Sequence, residues 1–331
     1  MNSQILVSVI MPCRNEEKFI GKCLDSIVAQ DYPKDKLEIL IGDGMSEDKT
    51  KRVIENYMGR YSFIKLFDNP KKIAPVAQNI GIKNAKGKII IIMDVHTVYK
   101  SDYISKCIKY LKEYEVDNVG GIWKIMPSEK TLINKAIALV SSSFFGAGNA
   151  YYRMGYSKGP KFVDTVFLGC YKKETFEKIG LYNENLARSY DMEFNSRLRK
   201  AGGKILLFPD IITYYYPKPT LKEFFGHNLL DGIWAIYPLK FGASLKLRHY
   251  VPFIFVLSLI FFLISSFFFK PTIYLFLFII GLYLLASLFF SISIAIREKN
   301  LGLFFVLPLA FACRHFGYGL GSLIGFIKLI L

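Results

Sequence analysis

From Val251 to the C-terminus the chain is almost wholly apolar, and this stretch limits the fold more than any other. Val251 to Phe269 carries no charged residue and is long enough to cross about 30 Å of hydrocarbon as a helix. Lys270-Pro271 breaks the run, Thr272 to Ile296 gives a second span, and Leu301 to Ile327 follows Arg297-Glu298-Lys299-Asn300 as a third. The pattern predicts an integral membrane protein, in contact with membrane lipids. Residues 1–241 form a domain outside the bilayer, and residues 242–331 a basic juxtamembrane segment with spans near 251–269, 272–296 and 301–327. Lys240, Lys246, Arg248 and His249 precede the first span and only Lys270 follows it, so the charge bias places residues 1–241 on the cytoplasmic side of the cell membrane. Met1-Asn2-Ser3-Gln4 leads straight into a strand pattern without a basic, cleavable leader, which agrees with that expectation.

The formal net charge of +16 is compatible with nucleic acid, an anionic bilayer or anionic ligands. The basic residues are scattered and form no arginine-rich block, so beside an apolar tail the bilayer and phosphorylated ligands explain them better than nucleic acid. Five cysteines, Cys13, Cys23, Cys107, Cys170 and Cys313, show neither a Cys-x-x-Cys pair nor zinc-finger spacing, and they read as free thiols.

The first half alternates strand and helix patterns. Ile5 to Pro12, Leu37 to Ile41, Phe63 to Phe67 and Ile89 to Met93 read as strands. Phe19 to Ala29, the stretch after Thr50 to about Tyr61, and Ala74 to Ala85 read as helices. Such alternation predicts right-handed βαβ units and an α/β fold with a mixed, mainly parallel, Rossmann-like sheet. Ile89-Ile90-Ile91-Ile92-Met93-Asp94-Val95-His96 is its centre: an unbroken apolar run covered on both faces, with an acid and an imidazole at the carboxyl end where open sheets bind ligands. Side chains repeat every second residue along a strand, so Asp94 and His96 point the same way and could share a metal ion. An aspartate there also suits a turn or a helix cap.

Four segments in sequence resemble family 2 inverting glycosyltransferases of the GT-A fold. Val7-Ser8-Val9-Ile10-Met11-Pro12-Cys13-Arg14-Asn15-Glu16-Glu17 is similar to the family's opening motif. Ile41 to Thr50 resembles its D-x-S-x-D-x-T nucleotide loop, and Pro75 to Ile82 its following helix. Asp94-Val95-His96 stands at its D-x-D position, with histidine for the second aspartate, as in a succinoglycan-biosynthesis-like branch. The resemblance implies a nucleotide-sugar donor, UDP-sugar favoured over GDP-sugar, held by Pro12, Arg14, Asn15, Glu16, Asp43, Asn79 and Asp94. Asn79 and Gly81 serve helix packing equally well. It also implies Mg²⁺ or Mn²⁺ at Asp94 and His96, acting as a Lewis acid on the diphosphate; imidazole leans toward Mn²⁺.

Ser189-Tyr190-Asp191-Met192-Glu193-Phe194-Asn195-Ser196-Arg197-Leu198-Arg199 resembles the family's E-D-x-E-L-x-x-R-L segment, with Tyr190 for the first acid. By that match Asp191 is the catalytic base, at a helix N-terminus that favours its charged form. Arg197 is a helix-face partner or an acceptor-phosphate contact. Leu132 to Phe145 reads as a helix leading to the glycine-rich loop Gly146 to Arg153, where Arg153 can meet a phosphate. Val163 to Tyr171 and Leu206 to Asp210 read as strands. His227 and Trp234 lie where processive synthases carry Q-x-x-R-W, which is lacking here. They either close over the donor or sit on an interfacial helix. Arg314 and His315 fall inside the third span, where ionisable residues are costly and usually functional. They either face a groove for an acceptor phosphate or snorkel to an interface.

The expectation is a metal-dependent hexosyltransferase that moves a sugar from a nucleotide sugar to a polyprenyl-phosphate or lipid-linked saccharide acceptor, for polysaccharide or glycoconjugate synthesis. A processive polysaccharide synthase and a non-catalytic nucleotide-sugar-binding membrane subunit are the alternatives. The sequence leaves oligomer formation open.

Overall fold

The structure, a computed structural model, describes residues 5–155 and 158–331; the opening tetrapeptide lies outside them. In chain order come β1 (Val7–Cys13), α1 (Ile20–Val28), β2 (Leu37–Asp43), α2 (Thr50–Met58), β3 (Ile64–Asp68), α3 (Ala74–Asn84) and β4 (Ile89–Ile92). Next are β5 (Val98–Tyr99), α4 (Tyr103–Glu113), β6 (Asn118–Ile125), α5 (Leu132–Ser142), α6 (Phe144–Ala147) and α7 (Tyr151–Met154). β7 (Lys161–Phe162), β8 (Phe167–Lys172), α8 (Lys173–Ile179), α9 (Tyr190–Lys200) and β9 (Ile205–Tyr215) follow. The chain ends with α10 (Leu221–Ile236), α11 (Leu247–Ser265), α12 (Thr272–Arg297) and α13 (Leu303–Ile330).

These elements form two compact units, Met1–Lys124 with Gly155–Tyr215, and Ile125–Met154 with Tyr216–Leu331. The boundary expected after residue 241 does not coincide with this division. Hydropathy marks only helices long enough to span a bilayer. The shorter α5 and α10 join the second unit because Ala136, Ile137, Val140 and Phe224 are buried with Leu303, Leu307, Ala310 and Phe311 of α13.

The first unit is built on a nine-stranded sheet in the order β3-β2-β1-β4-β8-β6-β9-β5, with β7 on β9. β1 pairs in parallel with β2 and β4, and β8 runs antiparallel to β4, giving the mixed, mainly parallel sheet that the alternation predicts. Ile89, Ile90, Ile91 and Ile92 are at most 4% exposed, so the run is covered on both faces. Each such side chain contributes about 1.5–3 kcal/mol by leaving water. Glu38 on β2 is buried and accepts from Ser8 Oγ and Lys86 N, each at 2.6 Å, and from Gly87 N at 3.3 Å. That carboxylate locks β1, β2 and the turn into β4 together, and so fixes where the Asp94 end of β4 emerges. α3 lies tightly on the sheet: a Cβ on Gly81 would come within 2.6 Å of Ile10 Cγ2.

Three boundaries differ from the sequence pattern. The helix from Leu132 stops at Ser142, because Ser143 restarts the chain as α6 with its Oγ accepting from Gly146 N at 3.1 Å. β8 begins at Phe167, four residues late, next to Leu168 with a φ of 51°. β9 continues to Tyr215, past the expected end at Asp210.

In the second unit α11, α12 and α13 are long and apolar enough to cross a membrane, with mean hydropathies of 2.0, 2.6 and 1.4. The first starts at Leu247, four residues earlier than expected, and ends at Ser265. α10 is N-capped by Thr220, whose Oγ1 accepts from Glu223 N at 3.2 Å. It packs on α13 backbone to backbone: a Cβ on Gly321 would fall 2.0 Å from Leu229 O. Small residues permit this close approach where lipid offers no hydrophobic drive.

Candidate active site

The carboxyl ends of β1 and β2 carry two loops that are laced together. Asn15 takes a left-handed backbone, φ 55°, which turns its N–H onto Ser46 Oγ at 2.9 Å and its Oδ1 toward Glu47 N at 2.8 Å. Glu16 N donates to Thr50 Oγ1 at 2.6 Å, Glu17 N to Asp48 Oδ2 at 3.1 Å, and Lys49 N to Glu17 Oε2 at 3.0 Å. Asp43 is buried, and its carboxylate accepts from Ser46 N at 3.0 Å and Ser46 Oγ at 2.5 Å, with Cys13 Sγ at 3.8 Å. The Asp43, Ser46, Asp48 and Thr50 spacing therefore has a local purpose beyond ligand contact: its side chains hold one loop against the other. Pro12 is half-buried beneath this platform. Arg14 is exposed, with its stem over Gly44.

Asp94 leaves the adjacent β4 with its backbone gripped: Asp94 N donates to Tyr99 Oη at 2.7 Å, and Cys23 Sγ lies 3.5 Å from Asp94 O. Its Oδ1 accepts from His96 N at 2.8 Å. Burial pushes the Asp94 carboxyl above the usual range; His96 opposes this and the Glu16 carboxylate adds to it. The exposed His96 ring meets Glu16 Oε1 through Nε2 at 3.0 Å and packs edge-on against Phe19 at 4.7 Å. Among the described residues no three histidine, cysteine, aspartate or glutamate side chains converge as a cage for a cation. A carboxylate and an imidazole alone still fit a cation that takes its remaining ligands from phosphate oxygens.

Asp191 stands in the first turn of α9, behind Ser189 at φ 56°. Burial holds the phenol of the neighbouring Tyr190 protonated far above the usual range, and Asp191 and then Asp94 push it the same way. Its Oη accepts from Gln78 Nε2 at 3.1 Å, and Tyr182 packs edge-on at 5.4 Å. Beneath α9, Tyr171, Phe176, Tyr182 and Phe194 form an aromatic floor with centroids 4.8–5.7 Å apart. Asn195 pins the helix to the sheet, accepting from Asn118 Nδ2 at 3.0 Å and donating to Thr165 Oγ1 at 2.9 Å.

Two of the expected ligand-contacting residues make several contacts within the protein. Asn79 is buried, and its amide is spent on Tyr182 O at 2.9 Å, Tyr182 N at 3.0 Å and Glu184 Oε1 at 3.1 Å. Arg197 makes the contacts that its helix-face reading calls for. Nε and Nη2 grip Glu193 at 2.6 and 3.0 Å, while Nη1 and Nη2 reach Ile179 O at 2.5 Å and Leu181 O at 2.7 Å, capping α8.

The remaining candidates belong to the second unit. Arg153 Nε donates to Tyr152 Oη at 3.1 Å. His227 Nε2 lies 3.5 Å from Asp231 Oδ2 on the next turn of α10, and Trp234 is half-buried with its ring 5.5 Å from that of Tyr237. His315 Nε2 contacts Phe145 O at 2.8 Å, and its Nδ1 contacts Tyr283 Oη at 3.2 Å. Arg314 is 9% exposed, with Nε donating to Gly146 O at 2.9 Å and Nη1 to Asn228 Oδ1.

Residues 8–180 match the family model described as Glycosyl transferase family 2. The chain belongs to that family. It is 33% identical to the Methanococcus voltae dolichyl N-acetyl-alpha-D-glucosaminyl phosphate 3-beta-D-2,3-diacetamido-2,3-dideoxy-beta-D-glucuronosyltransferase over 234 residues, 68% of this chain and 71% of the relative. It is 24% identical to the succinoglycan biosynthesis protein ExoA of Rhizobium meliloti, over 73% of this chain and 79% of that protein. In fold it is similar to the Pyrobaculum calidifontis mannosyltransferase solved with GDP-Man and Mn²⁺, with a TM-score of 0.60 at 15% identity over 94% of this chain and 86% of that one. The chain is thus a family 2 glycosyltransferase of GT-A-like fold with three apolar carboxyl-terminal helices.

Within this glycosyltransferase, the Glu16–His96 pair and the Gln78–Tyr190 link lacked a sequence signal, since each joins residues far apart in the chain. Tyr190 had one: it occupies an acid's place in the family segment.

Proposed function

We propose that this glycosyltransferase moves a sugar, with inversion, from a nucleotide sugar to a saccharide carried on a polyprenyl or dolichyl phosphate. The donor is a UDP-sugar in preference to a GDP-sugar, and the reaction takes place at the cytoplasmic face of the membrane. The observation that carries the reading is the placement of two acids, Asp94 just beyond β4 and Asp191 in the first turn of α9, with the neighbouring Tyr190 Oη tied to Gln78 Nε2 of α3 at 3.1 Å. The name of the Methanococcus relative, which specifies a dolichyl-phosphate-linked sugar as acceptor, supports the lipid-linked substrate.

The interlocked loops of residues 13–17 and 43–50 offer base and ribose a rigid floor. Pro12, Arg14, Asn15 and Glu16 line it, and Asp43 retains lone pairs for a base N–H. Asp94 and His96 would hold Mg²⁺ or Mn²⁺, whose charge offsets that of the diphosphate of the departing nucleotide. Asp191 takes the proton from the acceptor hydroxyl as that oxygen attacks the sugar carbon from the face opposite the nucleotide. A saccharide hydroxyl needs this base, whereas a bare lipid phosphate would not. The aromatic floor and Asn195 keep Asp191 in place, and the Tyr190 phenol, neutral at physiological pH, can donate a hydrogen bond without competing for the proton.

The test is nucleotide release by the full-length chain in detergent, with UDP- and GDP-sugars and a polyprenyl-phosphate sugar, with and without Mn²⁺. Release that requires acceptor and metal, and that falls roughly 10²–10⁴-fold in Asp191→Asn, is the expected result. Acceptor-independent release, or an unchanged Asp191→Asn rate, would sink the reading.

A further inference from the structure

α13 is long and apolar enough to cross a membrane, but the two helices that lie along it, α5 and α10, are not. α5 runs beside its first half. Leu132 lies against Gly302, Lys135 pairs with Glu298 at 2.9 Å, and Ala136 and Val140 are buried with Leu303 and Phe311. Gly146 O, just beyond α5, accepts from Arg314 Nε at 2.9 Å. α10 takes over along the second half, where Gly317 lies against Phe225 O, Gly321 against Leu229 O and Gly325 against Ile233 O. Each step is four residues on both helices, so α10 and α13 run parallel and in register for more than two turns.

That register puts charge at the wrong depth for a spanning helix. Counting back from Phe225, the exposed Lys222 and Glu223 of α10 fall level with Arg314 and His315, near the middle of the 28-residue α13. If α13 stood along the bilayer normal, both would lie near the hydrocarbon centre, where ionised side chains are costly. The eleven-residue α5 would end at that depth as well. The contacts with α11 point the same way. Phe316, Tyr318, Gly319 and Phe326 cover about 15 Å of α13, and they meet Phe255, His249, Pro252 with Val256, and Phe253 respectively. These partners do not advance along α11 as α13 advances. The two helices therefore cross steeply and cannot both follow the normal.

One apolar stripe of α13 stays open. Phe305, Leu309, Ile324 and Ile327 are exposed and Cys313 and Leu320 are half-buried, at the spacing of a single helix face. A helix with one such face beds it among acyl chains while lying in the membrane surface.

We propose that α13 lies in the plane of the bilayer surface, with this stripe sunk into the leaflet at which α11 begins, and that only α11 and α12 span. The charged side chains of α5 and α10 then stand at headgroup level. So does Arg314, whose guanidinium reaches Gly146 O and Asn228 Oδ1. The carboxyl terminus lies on the same side of the membrane as the amino terminus.

The test uses the full chain in sealed, oriented vesicles of phosphatidylcholine with phosphatidylglycerol. Protease-cleavable tags are placed in turn before Met1, in the Lys270-Pro271 turn and after Leu331. We expect the first and last tags to be cut from one side of the membrane and the middle tag from the other. A Leu331 tag cut from the side opposite the Met1 tag makes α13 a span and overturns the proposal. A middle tag cut from the Met1 side removes both spans and overturns it equally. Depth is read separately from nitroxide labels on Leu309→Cys, Leu320→Cys and Ile327→Cys in a Cys313→Ser background, with melting temperature and nucleotide affinity reporting whether each variant has folded. An in-plane helix holds the three labels at one depth to within about 5 Å. Labels at Leu309 and Ile327 separated by about 27 Å along the normal, the full rise of the helix between them, would refute it.

Discussion

Arg197→Ala separates the two sequence readings of that arginine, and the structure supplies the magnitude. Its guanidinium makes two bonds to Glu193, which is 2% exposed, and two to the carbonyls of Ile179 and Leu181. Truncation strands a buried carboxylate and two carbonyls at the end of α8. Breaking a buried pair in this way costs about 3–5 kcal/mol. The Arg197 side chain is 29% exposed, so water recovers part of the loss and about 2–4 kcal/mol is the working figure. At roughly 2–4 °C per kcal/mol for a domain of this size, the melting temperature of the first unit should fall by about 4–16 °C. Differential scanning fluorimetry of the full chain in detergent reads this, with and without nucleotide. The double variant Glu193→Gln with Arg197→Gln removes both charges and should recover at least half of the loss, which a simple packing defect would not do. Acceptor KM in the folded fraction should stay within about twofold of wild type. A melting temperature within 1 °C of wild type together with a raised acceptor KM would refute the clamp and restore the phosphate contact.

Three further outcomes follow from the same geometry. His96→Ala should weaken Mn²⁺ stimulation of transfer about 10–100-fold in metal concentration; an unmoved metal titration would leave Asp94 as sole ligand. Tyr190→Phe removes the hydroxyl that Gln78 bonds and should lower kcat roughly tenfold while donor KM holds, so a loss confined to melting temperature would make Tyr190 a packing residue. The Lys71 ammonium, then the Asn79 amide, hold the Glu184 carboxyl below its ordinary value of 4.5. Its contribution to stability is complete above that value and is lost as pH falls through the lower folded pKa. Glu184→Gln should therefore lower stability at neutral pH, flatten the profile below about pH 4.5 and converge with wild type at the acid end; parallel curves for variant and wild type would refute it.

Much of the α/β layer was legible in the sequence because a strand covered on both faces must be apolar throughout, and Ile89–Ile92 meets that demand at every position. Asp43, Asp94 and Asp191 could be placed at strand or helix ends because the elements end where turn formers and caps begin. The three long apolar helices were legible because their length and hydropathy can be read from composition alone, the property that a bilayer demands of a spanning segment. Their contacts were not. Whether a side chain such as Asn79 or Arg197 faces a ligand or the protein depends on what packs opposite, and the partners are Tyr182 and Glu184 for the first, Ile179 and Leu181 for the second. Likewise, the short α5 and α10 carry no spanning signal, yet tertiary packing assigns them to α13. The sequence by itself determined the order of strands and spans and the chemistry available at their ends. Only the tertiary structure decided that Gln78 meets Tyr190, that Glu16 meets His96 and that Arg314 is buried against Gly146 and Asn228, because neighbours distant in the chain set the contacts and the burial of each group.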